Sequence, residues 1–207
     1  MTRSLFSRTN DDGQDKLGLD RLVFFSDAVF AIAITLLALE IRMPEFESRP
    51  SDYELGRQLL HLWPRYLGYV MSFLVIGSYW MAHHRLFRYV VRYTRGLLWL
   101  NLLFLMSIAA VPFFSGLLGE YGDRRSVVIA YAAVIAVAGL FSTAMWGYAH
   151  HNRRLLAADA SEVDVRAVLL RAGVVPAVFL ISIAVAFVNP RLAMFSWALL
   201  LLIRSVI

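Results

Sequence analysis

Residues 21–40 read Arg21-Leu-Val-Phe-Phe-Ser-Asp-Ala-Val-Phe-Ala-Ile-Ala-Ile-Thr-Leu-Leu-Ala-Leu-Glu40, with no charge between Asp27 and Glu40. A helix that crosses a bilayer needs about 20 predominantly apolar residues. This stretch meets that length, and five more apolar segments follow it: Leu22–Ile41 is the first, then Tyr66–Met81, Leu97–Leu118, Val127–Tyr148, Ala167–Val188 and Leu192–Ile207. The last has only 16 residues, which leaves open whether it crosses fully. The first is not a secretory leader. It contains Asp27, exceeds the usual length of a leader's apolar core and lacks a small-residue cleavage site. These segments predict an all-α integral membrane protein of six transmembrane helices. It divides into a polar, mobile N-terminal stretch over residues 1–17 and a membrane domain over residues 18–207. Leu155–Val168, with Asp159, Glu162, Asp164 and Arg166, reads as a solvated helical connector.

Composition agrees. Of 207 residues, 59% are hydrophobic and 17% charged, and there is no cysteine; the mean hydropathy is +0.63. A soluble domain is about a quarter charged. The chain is too apolar to be disordered, and it can form neither a disulfide scaffold nor a Cys-ligated metal site. The net charge of +5 rests on 19 Arg and one Lys. In a chain of this kind it marks topology rather than a nucleic-acid partner. With the N-terminus inside, thirteen basic residues fall on inner segments and seven on outer ones. The positive-inside rule then places both termini in the cytoplasm. Trp63, Pro64 and Tyr66 form an interfacial entry to the second span.

Polar side chains inside apolar segments are costly and therefore candidates for function. They are Arg21, Ser26 and Asp27 in the first segment, Trp80, His83 and His84 at the end of the second, Asn101 early in the third, and His150 and His151 ending the fourth. In the N-in orientation all lie toward the cytoplasmic ends, so groups from spans one to three can meet in one layer. One reading is a packing network that sets helix register; the other is gating or proton handling. His150 and His151 read as interfacial. His83 and His84 are adjacent and diverge by about 100° on a helix, so they do not form a metal-binding pair. No nucleophile elbow, P-loop or zincin motif is present. Pro112 and Pro176 are the only signs of broken helices and are expected near helix ends.

On a wheel of about 100° per residue with Ile32 at zero, Leu36 falls near ~40°, Leu39 near ~−20°, Phe25 near ~20°, Ala28 near ~−40° and Thr35 near ~−60°. Asp27, at ~−140°, is on the far side. From spacing alone, ordinary helix packing is the preferred reading of this stripe.

Arg21-x-x-x-Phe25-Ser26-Asp27, with the apolar run after it, resembles the first-helix signature of the transmembrane protein 175 potassium channels. Trp80-x-x-His83-His84-Arg85-Leu86-Phe87 continues the likeness, as do Leu98-Trp99-Leu100-Asn101-Leu102-Leu103-Phe104-Leu105, Pro112 and Leu118-Gly119-Glu120-Tyr121. These blocks cover about the first 120 residues; the later spans match by number only. A single six-span unit is similar to the prokaryotic members, whereas the animal lysosomal members carry the unit twice.

The resemblance implies a homotetrameric, potassium-selective leak channel of the prokaryotic inner membrane, with lipid, potassium ions and its own copies as partners and no resident cofactor. It further implies a central pore lined by the first helix, without a Thr-Val-Gly-Tyr-Gly filter. Ile32 corresponds to the narrow point, Leu36 and Leu39 to the next turns outward, and Thr35 to a threonine that bears on potassium preference. Arg21, Ser26, Asp27, Trp80, Asn101 and one of His83 or His84 correspond to a polar network joining the first three helices. The alternatives are a proton-conducting channel or proton-coupled transporter using Asp27 and the His pair, and, last, a membrane enzyme. Outer Glu40 and Glu45 are placed either to concentrate cations at the mouth or to serve only as surface charge.

Overall fold

The structure is a computed structural model describing residues 3–42, 46, 48–157 and 165–204. The chain is a succession of helices: α1 (Arg3–Leu39), α2 (Asp52–His61), α3 (Trp63–Phe87), α4 (Arg95–Tyr121), α5 (Arg125–His151), α6 (Val165–Val188) and α7 (Pro190–Arg204), with a short 3-10 turn at Arg153–Leu155. Among the described residues no strand forms; Val90 and Leu156 make an isolated bridge. An all-helical fold suits a bilayer, because a helix satisfies its backbone polar groups within one segment.

Four helical segments are long and apolar enough to cross a membrane: Lys16–Leu39, Arg95–Tyr121, Arg125–His151 and Ala167–Val188. The second expected span lies within α3, which meets the test together with α2 across a 46° bend. Pro64 in the first turn of α3 explains the break, since its ring and missing N–H oppose continuation of the preceding helix. The sixth expected span corresponds to α7, whose 15 described residues rise about 22 Å.

Two local features differ from the sequence reading. The first outer loop contains a helix, α2, nucleated by a capping box. The Ser51 hydroxyl accepts from the Glu54 N–H at 3.3 Å, and the Ser51 N–H donates to the Glu54 carboxylate at 2.9 Å. Neither proline is near a helix end: Pro112 lies inside α4, more than two turns before its last residue, and Pro176 stands in the middle of α6. The polar start of the chain is continuous with the first span, because α1 begins at Arg3. The connector expected over Leu155–Val168 is described only at its edges; residues 158–164 lie outside the described residues.

The core centres on α4 and α5, with α1 and α3 on one side and α6 on the other. Ala132, Ala136, Ala138, Gly139 and Ala149 are buried along α5. Small side chains let helices approach closely where lipid supplies no hydrophobic drive for association. Ser72 of α3, Ser115 of α4 and Tyr131 of α5 satisfy one another, with Ser72 Oγ 2.8 Å from Ser115 Oγ and 3.0 Å from the Tyr131 hydroxyl. Tyr79 Oη donates to the Ile135 carbonyl at 2.8 Å, and Trp197 Nε1 donates to Ser182 Oγ at 2.9 Å.

Gly139 sits where α3, α5 and α6 converge. A Cβ there would lie 2.7 Å from Tyr79 Oη and 2.8 Å from two ring carbons of Pro176, whereas a Cβ at Gly147 would meet nothing within 4 Å. The Gly139→Ala variant is expected to lose about 1–3 kcal/mol through overpacking and to melt at lower temperature in detergent. Gly147→Ala is expected to melt at or slightly above the native temperature, because alanine is the better helix former by up to ~1 kcal/mol.

Candidate functional site

Helix α1 has two unlike faces. Leu22, Ser26, Phe30, Ala33 and Leu37 are buried against α3 and α4. Phe30, Ala33 and Leu37 are each 1% exposed, while Ile32 is 58%, Leu36 41% and Leu39 73% exposed. Phe25, Ala28 and Thr35 share the exposed side. On the wheel the buried set centres near ~120° from Ile32, so the Ile/Leu stripe is the face that this chain's own helices leave uncovered. Thr35 Oγ1 donates within its own helix, 3.0 Å from the Ala31 carbonyl and 2.9 Å from the Ile32 carbonyl. Its hydroxyl is therefore satisfied without any neighbouring helix.

The buried face carries a directed hydrogen-bond chain. Ser26 Oγ donates to the Leu22 carbonyl at 2.8 Å. Asn101 Nδ2 of α4 donates to Ser26 Oγ at 3.0 Å. His83 Nε2 of α3 lies 3.0 Å from Asn101 Oδ1, and because a carbonyl oxygen only accepts, Nε2 carries the proton in this arrangement. All three side chains are buried. One amide thus bridges α1 and α3 from α4.

Aromatic rings enclose the imidazole: Phe87 at 4.4 Å between centroids, Phe30 edge-on at 5.7 Å and Phe104 stacked at 6.0 Å. The box keeps water from competing for the amide, which strengthens the bonds and raises the cost of breaking them.

The remaining candidates are distributed differently. Asp27 accepts from Trp80 Nε1 at 2.8 Å, a separate tie between α1 and α3. His84 is exposed and stacks on Trp80 at 5.7 Å, so of the two adjacent imidazoles His83 is the one in the buried chain. Arg21 is exposed and makes no hydrogen bond or ion pair among the described residues. Glu40 folds onto α4, where its carboxylate occupies the space beside Gly116; Glu45 lies outside the described residues. His151 is exposed at the end of α5 and His150 half-buried. Among the described residues no group of three His, Cys, Asp or Glu is placed to hold a metal. Sequence reasoning missed Phe30 and Phe104 as walls of the His83 box. It also missed the Ser72, Ser115 and Tyr131 hydroxyl cluster, whose signal was polar side chains inside apolar spans.

Comparison with known proteins locates this arrangement. The family model described as endosomal/lysosomal potassium channel TMEM175 matches residues 21–112, the segment holding the second half of α1, all of α2 and α3, and the Asn101 part of α4. A potassium channel of Streptomyces collinus is 39% identical over 187 residues, covering 88% of this chain and 89% of that protein. The chain belongs to the TMEM175 family. A crystal structure of a lysosomal potassium-selective channel TMEM175 homolog from Chamaesiphon minutus superposes with a TM-score of 0.78 at 31% identity, covering 91% of this chain and 97% of that one. The human endosomal/lysosomal proton channel TMEM175 is 33% identical over 144 residues, which are 65% of this chain but 29% of that protein. The TMEM175 family is one of ion channels rather than enzymes, and the present member is a multi-pass membrane protein.

The buried chain has a measurable signature. Asn101→Leu leaves the His83 N–H unpaired in a dry box and is expected to cost about 1–3 kcal/mol, read as a lower melting temperature in detergent. Adding His83→Phe removes the stranded donor and is expected to restore much of the loss, because replacing both partners by apolar groups of similar shape approaches neutrality.

Proposed function

We propose that this TMEM175 member is a potassium-selective leak channel, formed by four copies of the six-pass chain around an axis lined by α1. The observation that carries the reading is the uncovered Ile32, Leu36, Leu39 stripe on a helix with no charge between Asp27 and Glu40. Among the described residues no helix of the same chain covers that stripe. Four copies turn it into stacked rings of branched side chains. Such a ring stops conduction by dewetting: an ion stripped of water and offered no ligand does not enter. Opening then requires the Ile32 ring to widen, or a hydroxyl such as Thr35 to replace its intrahelical bonds with contact to the ion. Potassium is the permeant ion, and no resident cofactor takes part. In the cell both termini face the cytoplasm across the inner membrane, in accord with the arginine asymmetry.

In this mechanism the Ser26, Asn101, His83 chain holds α1 at a fixed rotation, and the rotation decides which side chains reach the axis. The experiment is flux in liposomes holding the purified full-length protein. Ile32→Asn wets the constriction and is expected to raise potassium flux by roughly tenfold, equivalent to about 1.4 kcal/mol off the barrier, while narrowing the difference between potassium and sodium. Unchanged flux in both Ile32→Asn and Leu36→Asn would remove the pore assignment.

A second reading, proton conduction, is favoured by the similarity to the human endosomal/lysosomal proton channel and by the Asp27 carboxylate in the first span. It predicts that Asp27→Asn abolishes acidification of the vesicle lumen under a pH gradient while leaving potassium flux intact. The leak-channel reading predicts that potassium flux continues without a matching proton signal in the native protein.

A further inference from the structure

The Arg-rich end of the bundle is organised by a backbone clasp. Val91 N–H donates to the Leu155 carbonyl at 2.8 Å, and Ala157 N–H donates to the Tyr89 carbonyl at 2.9 Å. The α3–α4 connection is thereby pinned to the segment that follows α5. Thr94 Oγ1 and the Tyr148 hydroxyl, 3.0 Å apart, tie the start of α4 to the last turn of α5. Tyr93 closes over Gly18 of α1, which brings the first helix to the same end.

The clasp gathers Arg85, Arg88, Arg95, Arg153 and Arg154 at the ends of α3, α4 and α5, all of them exposed. Among the described residues none of the five makes an ion pair. Arg88 is held in place: its guanidinium lies 5.4 Å from the Tyr89 ring centroid and donates to the Tyr89 hydroxyl at 3.3 Å.

Charge is divided unequally between the two ends. By chain order thirteen basic and eight acidic residues belong to this end, and seven of each to the other. On the six-span reading of the sequence, the formal excess of +5 is thus assigned to this end. Trp99, one turn into α4 from Arg95, is exposed in the manner of an interfacial aromatic. Exposed guanidinium forks on two segments joined by this clasp are suited to bidentate pairing with a phosphodiester.

We propose that this clasp is a binding surface for anionic phospholipid headgroups, with Arg88, Arg153 and Arg154 at its centre. The headgroup phosphate sits against the guanidinium groups and the acyl chains run along the apolar flank beside Trp99. The proposal does not depend on which ion the channel conducts.

The test is native mass spectrometry on the full-length protein, released from vesicles of phosphatidylcholine mixed with phosphatidylglycerol. The native chain is expected to retain phosphatidylglycerol in preference to phosphatidylcholine. Arg153→Gln with Arg154→Gln is expected to cut that preference by about fivefold for each arginine removed. Arg124→Gln with Arg125→Gln, at the opposite end, is expected to leave it unchanged. Should the clasp variant fail to fold, a salt series on the native chain decides the matter: retention must fall on going to about 0.5 M salt, where screening is short-ranged. Equal retention of the two lipids, an equal loss in the opposite-end variant, or insensitivity to salt overturns the proposal. So does displacement of the lipid by an equal concentration of soluble glycerol phosphate, which would make this a site for free phosphate.

Discussion

The bilayer interior offers no water to a stranded polar group, and one buried amide meets that constraint for three helices at once. Asn101 has a donor and an acceptor end. The donor end is spent on Ser26 of α1 and the acceptor end on His83 of α3. Neither neighbour can rotate about its axis or slide by a turn without leaving a polar atom unpaired in an apolar medium. The aromatic walls Phe30, Phe87 and Phe104 make this stricter, because they exclude the water that would otherwise forgive an error. Register and rotation of α1 follow from this one residue more than from its many apolar contacts, which are interchangeable with lipid.

Fixing the rotation of α1 has a consequence on the opposite face. With Ser26, Phe30, Ala33 and Leu37 turned inward, helical geometry leaves Ile32, Leu36 and Leu39 turned outward. A helix that hides polar side chains on one side and shows branched apolar ones on the other is the reverse of the amphipathic pattern of soluble proteins. In a membrane the pattern has a reason: lipid or a second copy can cover an apolar stripe, whereas only protein can satisfy an amide and an imidazole. Pairing of Asp27 with Trp80 repeats the logic with a carboxylate.

The helical segments were legible because each apolar run is long and its interruptions are few. Ser26, His83 and Asn101 stood out for the same reason, as polar residues in runs that gain nothing by containing them. Other features were hidden. Choosing between His83 and His84 required the direction of α3, since neighbours on a helix diverge and only one meets Asn101. Pro176 was expected near a helix end because proline usually breaks helices, although the run Ala167–Val188 already placed it mid-span; in the structure it is mid-helix, with Gly139 opposite making room for its ring. Helix α2 was overlooked although Ser51 and Glu54 spell a capping box, because its polar composition reads as loop. Arg21, grouped by resemblance with the polar network, extends outward instead; a long cation near a helix end reaches water or headgroups at little cost.

Composition and run length alone determined that the chain is helical and membrane-bound, since about 20 apolar residues in succession admit no other satisfied backbone. They also determined that its few buried polar groups would need one another. Which of those groups meet, which face of α1 is left bare, and how the arginines of two distant segments come to share one clasp were decided by tertiary structure. Those outcomes depend on the rotation and depth of each helix against its neighbours, and an apolar run carries almost no information about either.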